Sequence, residues 1–160
     1  MVEQQINMLI IDDDMPGDKG YDDLEIHYPG VFAIDRARTY VDPNFPEHER
    51  AYSFLSKKRY YLVLLDFFFI GQRHNGPLIQ SYIRMSRKLG PNYPSTDLSV
   101  ANKDSYIIGV SEEWERHVSE LDGTDKQNRP NAYTSKAKTN KEGLIEKIDE
   151  FLRQFKRSNV

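Results

Sequence analysis

The stretch "YYLVLLDFFFIG", Tyr60–Gly71, decides how this chain is read, because an apolar run reaches a single carboxylate, Asp66, and then passes straight into three phenylalanines. An ionised carboxylate is costly among apolar groups unless something pairs with it. A charge placed there marks the end of a buried strand. Working outward, "NMLII" (7–11), "VFAI" (31–34) and "SYIIGV" (105–110) are short apolar runs of the same kind, and "AYTS" (132–135) is a weaker fifth. None alternates strictly with polar residues. That pattern suits strands covered on both faces, as in a parallel sheet, although a buried helical segment carries the same signature.

Helical periodicity fills the gaps. "PEHERAYSFLSKKR" places Ala51, Phe54 and Leu55 on one face, and "GPLIQSYIRMSRKLG" places Leu78, Ile79, Tyr82, Ile83 and Leu89 on one face, closing at Gly90 as a C-terminal cap. "TNKEGLIEKIDEFLRQFKR" opens with Thr139 and Glu142 in capping-box spacing, carries the stripe Leu144, Ile145, Ile148, Phe151, Leu152 and Phe155, and ends basic. Strands alternating with helices predict a doubly wound α/β sheet, which binds ligands beyond the carboxyl ends of its strands. On that rim fall Asp12, Asp13, Asp14, Asp66, Ser111 and Lys136. Two stretches break the alternation. Residues 15–30, "MPGDKGYDDLEIHYPG", hold two prolines and three glycines where a first helix is due, and residues 91–104, "PNYPSTDLSVANKD", form a long polar loop insertion expected at the opposite end of the sheet.

At 160 residues with 38% hydrophobic content, one domain spanning 1–160 is the expectation. The 22 basic and 25 acidic residues leave a net charge of -3, which argues against a nucleic-acid footprint. With no cysteine there are no disulfides or thiolate metal sites, and His27, His48, His74 and His117 lack metal-ligand spacing. The start, "MVEQQINMLIIDDD", is neither a signal peptide nor a spanning helix, so a cytoplasmic protein without membrane contact is expected. A nucleophile elbow, a P-loop and a G-x-G-x-x-G fingerprint are absent.

The strand ends "LIIDDD", "VLLD", "GVS" and "YTSK", in that order, resemble the receiver domain of two-component response regulators, over nearly the whole chain from Met8 to Phe155. The resemblance implies a flavodoxin-like (βα)5 three-layer sandwich with strand order 2-1-3-4-5. It implies Asp66 as phosphoacceptor, and magnesium bound directly by Asp13, Asp66 and the backbone carbonyl of Phe68, with Asp12 acting through water. Lys136 and Ser111 would contact phosphoryl oxygens, and Ser111 with Tyr133 would form the switch. A histidine kinase or phosphotransfer protein would be the donor and a further protein the target. Self-phosphorylation without turnover, a monomer or weak homodimer, and no DNA-binding output domain after the last helix complete the expectation.

The sequence departs from the family in several places. Ile70-Gly71 replaces the usual Pro-Gly, the loop to Gly76 is long and carries Arg73 and His74, Glu112 follows Ser111, and Ala137 follows Lys136. Lys138 offers an alternative register, but Lys136 keeps the tyrosine spacing. Taken singly, Asp66 and Ser111 could each be helix caps, Tyr133 a half-buried aromatic, and Trp114 a packing residue of the fourth helix. The irregular segment 15–30 leaves open a receiver-like binding module that works without phosphorylation. A magnesium-dependent phosphohydrolase is more remote, since the dehalogenase-type second acid would have to stand at Phe68.

Overall fold

The apolar run before Asp66 is the centre of a sheet. In the computed structural model, which describes residues 3–12, 21, 23–38, 48–67, 76–85, 102–121, 129–135 and 141–158, β3 (Leu62–Leu65) is wholly buried between β1 (Ile6–Asp12) and β4 (Tyr106–Val110). β2 (Phe32–Arg38) and β5 (Ala132–Thr134) form the edges. All neighbours pair in parallel in the order β2-β1-β3-β4-β5. Helices α1 (Leu24–His27), α2 (His48–Lys57), α3 (Gly76–Met85), α4 (Glu112–Glu120) and α5 (Lys141–Ser158) alternate with them, so the expected flavodoxin-like architecture and strand order are present.

Successive strand residues enter opposite layers, which explains why the sequence showed no polar alternation. Leu9, Ile11, Val63, Leu65 and Ile107 pack with Ala51 and Leu55 of α2, Ile79 and Ile83 of α3, and Trp114 of α4. Met8, Ile10, Leu62, Leu64, Ile108 and Val110 pack on the other side with Leu144, Ile148 and Phe151 of α5. Among the described residues of the first crossover, α1 has four residues, and Tyr21, Leu24 and Tyr28 pack in that layer. Tyr28 Oη donates to Asp149 Oδ1 at 2.7 Å, fastening the segment to α5. Burial, and then the Asp149 hydrogen bond and charge, push the Tyr28 phenol well above its ordinary range, so it stays a donor.

Two strand boundaries differ from expectation for physical reasons. β2 runs on through Asp35 and Arg36, because an edge strand tolerates charge; Asp35 accepts from Tyr60 Oη at 2.7 Å and Lys58 Nζ at 3.0 Å. β3 starts two residues after Tyr60, whose N–H donates to the Asn102 side chain at 2.7 Å. Asn102 is the first described residue of the 91–104 stretch, and it also donates to Leu55 O at 2.8 Å and Lys58 O at 3.0 Å. That places it at the amino end of β3, at the opposite end of the strand from Asp66. Arg84 at the end of α3 donates to Lys103 O at 2.8 Å and Ser105 O at 2.6 Å, pinning the same end. The caps expected at Gly90 and Thr139, and residues 91–101, lie outside the described residues. Among the described residues no helix is long and apolar enough to cross a membrane.

Asn102→Ala strips partners from three backbone groups and should cost about 2–3 kcal/mol. A denaturant midpoint lowered at constant slope checks this. For Asp35, burial opposes its charge, but hydrogen bonds from Tyr60 and Lys58 and the lysine charge hold it below its ordinary value. A depressed carboxylate stabilises fully above its unfolded pKa, about 3.9, and the contribution is lost as pH falls through the lower folded value. The stability gap between wild type and Asp35→Asn should therefore be constant above about pH 5 and shrink in stronger acid, read from unfolding curves across pH.

Candidate functional site

Parallel pairing sets Ile11 beside Leu65, and the Asp66 N–H donates to Ile11 O at 2.9 Å. The next residue of each strand end, Asp12 and Asp66, therefore leaves the sheet next to the other. Alternation carries Met8, Ile10 and Asp12, and Leu62, Leu64 and Asp66, toward the layer that holds α5 and Tyr21. Both carboxylates are buried, Asp12 at 5% exposure and Asp66 at 2%. Asp66 Oδ1 accepts from the Phe67 N–H at 2.7 Å, so it caps its own turn and gains support for its charged form. Asp12 Oδ2 accepts from Tyr21 Oη at 2.5 Å.

Two buried carboxylates on adjacent strand ends repel one another, and as hard oxygen donors they fit magnesium. Among the described residues there is no group of three acids or histidines that could hold a metal. Asp13, Phe68, Lys136 and the alternative Lys138 lie outside the described residues, as do Ile70, Gly71, Arg73, His74 and Ala137.

Ser111 and Tyr133 come together on the neighbouring strand ends. Ser111 N–H donates to Thr134 O at 2.8 Å, and Ser111 Oγ accepts from Glu113 N at 3.3 Å as the N-cap of α4. The acidic first turn, Glu112, Glu113 and Glu115, suits the positive end of the helix dipole. Glu112 is exposed, unlike Asp12 and Asp66. Tyr133 keeps 37% of its surface exposed. With Ser111, Glu112, Glu115, Thr134 and Ser135 it lines an open cleft of about 440 Å³.

Trp114 joins α4 to the Asp66 turn. It is fully buried, and its indole N–H donates to Leu65 O at 3.0 Å, one residue before the carboxylate. Its ring lies edge-on to Phe67 at 5.1 Å. His117 sets its ring against Phe67 at 5.5 Å and Trp114 at 5.9 Å. Two glycines make room: a Cβ at Gly109 would come within 2.6 Å of the indole, and one at Gly76 within 2.1 Å of Asp66 O. Gly76 N also donates to Phe67 O at 2.7 Å, so the chain returns to the Asp66 turn where α3 begins.

No protein-family model and no curated protein matches the chain. Solved structures do. Two crystal structures of NtrX from Brucella abortus are similar over 98% of this chain with a TM-score of 0.56, at 14% identity and, in the complex with ADP, 17%. The fold is receiver-like. The chain spans 29% of each NtrX chain, and at such identity the likeness establishes architecture alone. What this receiver-like fold does must come from its own residues.

Sequence reasoning placed Asp12, Asp66, Ser111 and Tyr133 at strand ends, but it missed Tyr21, Gly76 and the indole contact. A glycine before Pro77 at a helix start was a faint signal for Gly76; for Tyr21, in an irregular segment, the sequence offered none. Overpacking at Gly109→Ala should cost about 1–3 kcal/mol. It should also red-shift the emission of Trp114, the single tryptophan, as the ring is displaced toward water. Unchanged emission and stability would contradict the packing described.

Proposed function

We propose that this chain acts in phosphorelay signalling, accepting a phosphoryl group on Asp66 from the phosphohistidine of a histidine kinase or phosphotransfer protein. The observation that carries this is the pair of buried carboxylates, Asp12 and Asp66, side by side at the carboxyl end of the central strands of a receiver-like sheet. An Asp66 oxygen would attack phosphorus, forming a P–O bond as the P–N bond breaks; the donor imidazole leaves with the electron pair and takes up a proton. Asp12 and Asp66, with Asp13 and the Phe68 carbonyl by the resemblance, would hold magnesium, which when bound supplies positive charge against the acids and phosphoryl oxygens.

The Ser111 hydroxyl caps α4 by accepting, which leaves its proton to donate to a phosphoryl oxygen. Lys136 would pair with another oxygen. Drawing Ser111 inward would open room in the cleft for the Tyr133 ring, shifting the population of states on the face made by α4, β5 and α5 that a protein partner reads. In this account the chain is one cytoplasmic domain, monomeric or weakly dimeric, modified once per site and not a turnover enzyme. The two prolines and three glycines of residues 15–30 favour a second function, a binding module that works without phosphorylation.

Intact mass after incubation with acetyl phosphate separates the two. The expected result is a magnesium-dependent gain of one phosphoryl group in wild type and none in Asp66→Asn. No gain in folded wild type would overturn the phosphoacceptor in favour of the binding module.

A further inference from the structure

The phosphoacceptor proposal leaves unexplained a phenol on one of its carboxylates. Tyr21 Oη donates to Asp12 Oδ2, and both residues are only 5% exposed. Tyr21 is held from both ends: its ring packs in the layer with Leu24 and Tyr28, and its carbonyl accepts from Arg36 Nη2 of β2 at 3.3 Å. Packed in this layer, the phenol restrains the Asp12 Oδ2 oxygen. The kind of donor matters as well. A lysine or arginine at this point would support the carboxylate but repel an incoming cation, whereas a neutral phenol supports it and leaves the negative charge for the metal.

Resting on the phosphoacceptor proposal above, we infer that Tyr21 is a positioning residue for the cation site, holding Asp12 in the orientation that magnesium binding uses. It also ties the chain just before α1 to the acidic end of the sheet. Partners that orient metal-site carboxylates are typically worth about 10–100-fold in metal affinity. Because Asp12 is expected to act through water, the effect here belongs at the low end, about five- to tenfold.

The test is a magnesium titration, without any phosphoryl donor, of wild type, Tyr21→Phe, Asp12→Asn and the double variant, by calorimetry and by Trp114 fluorescence. Tyr21→Phe should weaken binding about five- to tenfold, and the double variant should bind no more weakly than Asp12→Asn alone. If Tyr21→Phe binds like wild type, or weakens binding by the same factor in both backgrounds, the residue is merely structural and the inference is overturned. Wild type that takes up no magnesium would bring down the phosphoacceptor proposal together with it, so the two failures are distinguishable. Thermal unfolding confirms that each variant is folded; Tyr21→Met, which fills the same space flexibly, provides the same comparison if the phenylalanine variant does not fold.

Discussion

The parallel register of β1 against β3, closed at its end by the Asp66 N–H to Ile11 O hydrogen bond of 2.9 Å, is the constraint on which the site depends. It makes two strands end level, so that two carboxylates emerge next to each other from the most buried part of the sheet. A slip of one residue would turn every side chain of the strand to the other layer, carrying the carboxylate away from its neighbour and Leu64 out of the α5 core. Hydrophobic burial on both faces therefore holds an arrangement that electrostatics alone would oppose.

The two ends of the sheet are built differently. At the amino end Asn102 and Arg84 bind backbone carbonyls directly and fix the chain where β3 and β4 begin. At the carboxyl end the contacts run through side chains: Tyr21 on Asp12, Ser111 on the first turn of α4, and the Trp114 indole on Leu65 O. Trp114 belongs to the helix that Ser111 caps, yet it touches the strand that ends in Asp66. A displacement at the carboxylate thus has a short route to α4 and to the cleft beside Tyr133.

Much of this was legible in the chain because burial on both faces writes an unbroken apolar run. β1, β3 and β4 appeared as such runs, and their ends located Asp12, Asp66 and Ser111. β2 was read short because an edge strand carries Asp35 and Arg36, whose charges are answered by residues distant in sequence. Tyr21 escaped because its value lies in one hydrogen bond from a segment with no period. The Trp114 contact escaped for a similar reason: its partner is a backbone carbonyl 49 residues away, which no local pattern encodes. Local propensity marks elements, whereas the groups that orient a site are set by tertiary placement.

The most direct test of the central claim is chemical location of the phosphoryl group. Borohydride reduction of the phosphorylated chain converts an aspartyl phosphate to homoserine, and peptide mass mapping then reads the position. The account predicts homoserine at residue 66 and nowhere else. Homoserine at another aspartate, or a phosphoryl group that resists borohydride, would contradict it.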